Sequence, residues 1–244
     1  MLESLRYPYP TVQMHHVPLP LDFYARPVLR VARDCIGKHL VHDTSEGLVV
    51  GRIVEAEAYR GPEDRAAHSF GGRRTARTEV MFGPPGVAYV FFVYGLHFHV
   101  NLVTTAPGAP HAVLLRAVEP VIGAELMAAR RGMSASRREL TNGPGKLCQA
   151  FAIGRSANGA DLTRPPLFLS DGPRCRVARA TRVGIDYAGE WAARPWRFYD
   201  PASRYVSAVP GRATAVSAKA TAVRGERSPI KRNAQAGRSK GPAT

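Results

Sequence analysis

Four short segments rich in β-branched and aromatic residues, 48–59, 87–93, 96–103 and 112–118, constrain the fold of this chain more than any other feature. Glycine and proline separate them, as in Gly83-Pro84-Pro85-Gly86, and such punctuation marks turns between strands. Residues 24–37 have helical spacing through Leu29, Val31, Ala32 and Cys35, with Gly37 as the stop, and 121–131 and 145–153 read as further helices. Later segments add short strands and turns. Strands gathered mid-chain with helices around them predict an α+β fold: a single domain with a curved, mostly antiparallel sheet, surrounding helices and a protruding β-hairpin.

Apolar patterning extends from about residue 21 to 209, which sets the expected domain at 21–209. Residues 1–20 form an irregular lead-in, and 210–244, made of Ala, Arg, Ser, Lys and Gly, should be a disordered basic tail. With 244 residues and 45% hydrophobic content, one core is affordable. The net charge of +15 points to a polyanionic partner. From residue 207 onward eight basic residues face Glu226 alone, so the excess is shared between body and tail. DNA, RNA and ribosome fit that charge equally well. No stretch reaches the roughly 18 to 20 apolar residues of a membrane span. The N-terminus, with Pro8, Pro10, His15 and His16, lacks a signal-peptide core. A soluble intracellular monomer, cytoplasmic and nucleoid-associated, is expected. Cys35, Cys148 and Cys175 are too widely spaced for a disulfide framework or a metal pair and read as buried thiols.

Alternation along a strand puts Glu55, Glu57 and Tyr59 on one face and Val54, Ala56 and Ala58 on the other. Carboxylates two residues apart lie roughly 6.5 to 7 Å from each other, close enough for one charge to raise the other's pKa toward that of a general base. The competing arrangement has one glutamate paired with an arginine and the other in solvent. The following loop carries Arg73, Arg74 and Arg77 among glycines, a pattern that grips phosphates or simply meets solvent. His68, by itself, reads as a hydrogen-bonded structural histidine. The hairpin over 87–101 bends at Tyr94-Gly95, which puts an aromatic at its tip, folded back on the core or free to wedge between bases. Tyr89 and Phe91 share a face of its first strand; His97, His99 and Asn101 share a face of its second. On the next strand Leu114 and Arg116 project together.

Glu57-Ala-Tyr59-x-Gly-Pro-Glu-Asp-x-Ala-Ala-His68-Ser, Tyr94-Gly with Asn101, Leu114-Leu-Arg116-Ala and Gly143-Pro-x-Lys-Leu-Cys-Gln-Ala150 occur in one order. Together they resemble the alkyladenine (3-methyladenine) DNA glycosylase family of mammals and bacteria. The likeness covers about 21–209 and continues through Arg182-Val-Gly184, Gly189-Glu-Trp191-Ala and Arg197-Phe-Tyr199. It implies a monofunctional base-excision enzyme acting on double-stranded DNA with damaged purines, without metal or cofactor. It assigns Glu57 as the catalytic base, and Arg116 and the Val183 carbonyl as the groups that position the water. Tyr59 stacks on the flipped base, His68 contacts it at the pocket edge, and Asn101 and Leu114 crowd the position of a guanine 2-amino group. Tyr94 is the wedge that fills the gap in the duplex. Phe91 stands where mammalian members carry a second tyrosine, the loop between Asn101 and Leu114 is about two residues longer, and the basic tail has no counterpart; the first two departures bear on which damaged bases are accepted.

The mechanism implied is extrusion of an alkylated or deaminated purine, followed by attack of Glu57-activated water at C1′. Only Lys38 and Lys146 lie in the body, outside the Glu57–Arg116 constellation, which disfavours an amine-based lyase. Two rivals stay open at this level: a non-enzymatic RNA- or ribosome-binding protein, and a metal-dependent hydrolase built on His97, His99 and Glu55.

Overall fold

The computed structural model describes residues 16–207. The expected basic tail at 210–244, and the first fifteen residues of the lead-in, lie outside the described residues. The remainder of the lead-in holds no helix or strand and is tied to the sheet at two points: Pro18 bridges Ser170, and the Leu19 N–H donates to the Leu169 carbonyl.

Among the described residues eight strands form one sheet in which every pairing is antiparallel. They are β1 (His39–Thr44), β2 (Gly47–Arg60), β3 (Ala88–Val93), β4 (His97–Thr104), β5 (His111–Ile122), β6 (Leu167–Ser170), β7 (Ala178–Ala180) and β8 (Arg197–Tyr199). The path runs β3-β4-β5-β2-β1-β6, with β8 joined to both β2 and β7. Helices α1 (Leu21–Tyr24), α2 (Val28–Asp34), α3 (Ala124–Arg131) and α4 (Pro144–Ala150) complete the α+β fold.

The helix expected over 24–37 is divided because Pro27 has no N–H to continue α1. It ends at Asp34, three residues before the positive-φ Gly37. The helix expected from residue 121 begins at Ala124, since β5 extends to Ile122 and Gly123 turns the chain in the left-handed region.

Alternation divides the sheet into two faces with different duties. Ala56, Ala58, Val90, Val100, Leu102, Val113 and Leu115 enter the main core, on which α2 and α4 pack. Intervening residues face the other way. Val54 departs from the expected grouping with Ala56 and Ala58: the β2–β5 register shifts between Ile53 and Glu55, and Val54 packs with Ala117 and Tyr205 instead. A bulge reverses which face a residue meets. Cys35 and Cys148 are buried as expected; Cys175 is only partly so.

Candidate active site

The strands align the expected residues in one transverse row. Glu57 of β2 is opposite Leu114 of β5, Leu114 is opposite Asn101 of β4, and Asn101 is opposite Tyr89 of β3. Arg116 falls at a second irregularity: Ala117 pairs with Glu55 and Leu115 with Ala56, which leaves Arg116 unpaired between them. Bulges re-aim side chains. Arg116 bridges both glutamates, its Nε 3.2 Å from Glu55 Oε1 and its Nη1 3.3 Å from Glu57 Oε2.

Both glutamates are fully buried, but they are not equivalent. Glu55 accepts from Arg116, from Arg197 Nη1 at 2.9 Å, and from the Ser207 N–H and hydroxyl at 2.7 and 2.9 Å. Glu57 accepts from the Val183 N–H at 2.7 Å, the Tyr59 hydroxyl at 2.9 Å and Arg116. An ionised carboxylate offers about four lone-pair sites, so Glu57 keeps one for a further donor. Desolvation, and then the adjacent Glu57 carboxylate, push the Tyr59 hydroxyl pKa well above its ordinary value, so Tyr59 remains a donor. Burial opposes the Arg116 charge, but Glu57 and Glu55 outweigh it and raise its pKa.

A second buried ion pair braces this arrangement. Arg182 and Asp64 have no accessible side-chain surface and meet through both guanidinium nitrogens. Arg182 also donates to the Ala58 carbonyl at 2.9 Å and faces the Tyr59 ring at 4.7 Å and the Trp196 ring at 5.2 Å. It precedes Val183 in the chain, so one clamp fixes the ring and the N–H that both address Glu57.

Above this floor lies a cavity of about 150 Å³ whose walls include Tyr59, His68, Tyr89, Phe91, Asn101, Leu114, Arg116 and Val183. Glu57 is not itself on the wall; its three donors are. Asn101 Nδ2 donates to the Tyr89 carbonyl at 3.0 Å. His68 sits at the rim with Nδ1 3.0 Å from the Tyr89 hydroxyl and its ring edge-on to Phe91, centroids 4.5 Å apart. Desolvation there, aided by the Arg77 charge, lowers its pKa to about 4. It is therefore neutral near pH 7, with one ring nitrogen tied to Tyr89 and the other available to a ligand edge. Tyr94, φ +53°, is 84% exposed at the hairpin tip and also borders the cavity. The outward orientation, not the folded-back one, is adopted.

The three loop arginines differ. Arg74 makes a bidentate pair with Glu79 and lies over Phe82. Arg73 and Arg77 have no carboxylate partner among the described residues, and Arg77 stacks on Phe91 at 4.9 Å. The metal-hydrolase arrangement does not assemble. His97, at the end of the turn, lies against Gly145 of α4, and Glu55 is occupied by guanidinium and Ser207 donors. No group of three metal-ligating side chains occurs among the described residues.

No local sequence signal gives a role to Asp64, Arg182, Arg197, Ser207 or Tyr187. Arg182 and Arg197 were visible only as letters within motifs, because their partners lie more than a hundred residues away. Tyr187, 72% exposed at the cavity mouth, follows an irregular segment with no periodicity to reveal it.

Known proteins are similar to this chain. The profile of the methylpurine-DNA glycosylase family matches residues 22–204. A relative from Desulfitobacterium hafniense (strain Y51) is 51% identical over 195 residues, 76% of this chain and 96% of the relative. One from Methanocella arvoryzae is 51% identical over 191 residues, covering 78% and 95%. One from Myxococcus xanthus (strain DK1622) is 48% identical over 195 residues, covering 79% and 94%. All three are named, provisionally, 3-methyladenine DNA glycosylases.

Proposed function

The chain belongs to the methylpurine-DNA glycosylase family, and on that premise we propose that it excises alkylated or deaminated purines from duplex DNA by flipping them into the cavity above Glu57. The observation that carries this reading is the incompletely saturated, buried Glu57 carboxylate held by three donors that line an aromatic cavity.

The base enters between Tyr59 and Phe91, and Tyr94 fills the space it leaves in the stack, offsetting an extrusion cost of a few kcal/mol. A purine alkylated at N3 or N7 is cationic, and two aromatic faces favour it by about 0.5 to 2 kcal/mol. Water at the open Glu57 site attacks C1′ and its proton passes to the carboxylate. The N-glycosidic bond breaks and its electron pair leaves with the base. The carboxylate also stabilises the developing oxocarbenium charge. Neutral His68 contacts the base edge by hydrogen bonding rather than as an imidazolium acid, while Asn101 and Leu114 limit substituents at the purine 2-position. Arg116 and the Val183 backbone hold Glu57 and its water, and it is the Val183 N–H that meets the carboxylate. Arg73 and Arg77 flank the DNA path, and the basic tail supplies a non-specific electrostatic arm. The protein acts as a monomer in the cytoplasm, where the nucleoid is. Among the described residues no helix is long and apolar enough to cross a membrane.

Release of free base from methylated and hypoxanthine-containing duplexes, in EDTA, tests the reading. Glu57→Gln should slow single-turnover release by about 10² to 10⁴, the range for loss of a general base. A variant as active as the wild type removes Glu57 from the mechanism, and loss of wild-type activity in EDTA removes the metal-free hydrolysis.

A further inference from the structure

Phe91 meets both a cation and the base cavity. It lines the base cavity, whereas Arg77 does not; Arg77 lines the two neighbouring hollows, one of which it shares with Phe91. The same ring therefore meets the guanidinium and borders the space a base would occupy. The Arg77 guanidinium carbon is 4.9 Å from the ring centroid, and Arg77 also interacts with the Tyr89 hydroxyl at the same wall. Its loop neighbour Arg74 is neutralised by Glu79, but Arg77 keeps an uncompensated charge among the described residues.

We propose that Arg77 sets the preference of the pocket between charged and uncharged bases: acting through Phe91, its guanidinium disfavours a cationic base relative to a neutral one. This rests on the reading of the cavity as a base pocket and adds a positioning and selectivity role that a phosphate-gripping arginine would not have. Two effects run in the same direction. A cation already against the ring draws its π density away from a second cation. With a base stacked roughly 3.5 Å from the ring, the two charges are about 8 Å apart. At that distance, with an effective permittivity of about 40 to 80 for this solvent-facing wall, one unit charge changes relative occupancy roughly two- to fivefold. A neutral base meets neither effect. Phe91 and Arg77 thus act in opposition, one attracting alkylated purines and the other limiting that attraction so that neutral deaminated purines can compete.

The test is single-turnover excision by the full chain of 7-methylguanine, which is cationic, and hypoxanthine, which is neutral, in otherwise identical duplexes, with duplex affinity measured at two salt concentrations. Differences of shape between the two bases cancel when each variant's excision ratio is compared with that of the wild type. Arg77→Ala and Arg77→Gln should raise the 7-methylguanine to hypoxanthine ratio roughly two- to fivefold. Arg77→Lys, which keeps the charge, should stay nearer the wild-type ratio. An unchanged ratio in Ala and Gln variants, with both substrates slowed equally and the salt dependence reduced by about one counterion, identifies a phosphate contact and overturns the proposal. A wild-type chain that releases neither base overturns the pocket reading itself, which separates the two failures.

Discussion

Replacing Asp64 by Asn isolates the brace beneath the pocket. Asp64 is wholly buried and accepts from both Arg182 guanidinium nitrogens and from the Arg60 and Ala66 N–H groups. Asparagine is nearly isosteric but carries no charge, and its amide donates where an acceptor is required. Arg182 would keep a buried positive charge with carbonyls alone as partners, and its Nε already lacks one. Removing one member of a buried pair costs about 3 to 5 kcal/mol. For a domain of this size each kcal/mol moves Tm by about 2 to 4 °C, so a fall of roughly 6 to 20 °C is expected by calorimetry. A companion variant, Asp64→Leu with Arg182→Met, removes both charges and should recover most of that stability. Its excision activity at 20 °C should nevertheless stay low, because Tyr59 loses the cation behind its ring and the Val183 N–H loses its anchor. An Asn variant that melts within about 3 °C of the wild type refutes the buried brace, and a fully active double variant refutes its role in placing the site.

Acid should destabilise the protein before its carboxylates titrate. Desolvation, reinforced by Arg116, lowers the His99 pKa to about 4, and His68 is lowered similarly. The unfolded chain, with histidines near 6.5, binds more protons than the folded one between about pH 6.5 and 4, so stability is lost as pH falls through that window and is flat above it. Thermal melts at pH 7.5 and 5 should show the drop, reduced in His99→Phe; identical Tm values would contradict it. Tyr94→Ala should leave Tm unchanged, since the ring is 84% exposed, but slow excision, more for well-paired lesions than for mispaired ones. Equal slowing across pairing contexts would argue against a wedge.

The central strands were legible because β-branched and aromatic residues recur with period two between glycine and proline breaks. The hairpin tip was legible for the same reason, with Tyr94-Gly95 at its bend. β1 was not, since His39, His42 and Asp43 interrupt its apolar pattern. Periodicity correctly put Glu55, Glu57 and Tyr59 on one face, but could not foresee the two register shifts that expel Val54 from the main core and turn Arg116 toward both glutamates. A shift depends on two strands at once, and one sequence window contains only one of them. The clusters that needed distant partners were equally hidden: Asp64 with Arg182, and Glu55 with Arg197 and Ser207. Two arginines three positions apart in one loop are physically unlike, because Glu79 captures Arg74 while Phe91 receives Arg77.

The two glutamates illustrate how the fold divides labour that sequence leaves undivided. They lie on the same face of one strand, both buried, and both touch Arg116. What separates them is saturation. Glu55 has four donors and is enclosed by β8 and Ser207; Glu57 has three, each of which borders the cavity. Glu55→Gln would place an amide N–H against donors, leave Arg197 and Arg116 underpaired, and so act chiefly on folding, at about 3 to 5 kcal/mol. Glu57→Gln loses fewer contacts and acts chiefly on chemistry. The expected pattern is therefore crossed: a larger fall in Tm for the Glu55 variant and a larger fall in single-turnover rate, measured well below both melting temperatures, for the Glu57 variant. If the Glu55 variant instead lost rate as steeply as the Glu57 variant while melting normally, the carboxylate pair would be acting as one reactive unit, and saturation would not be what selects the base.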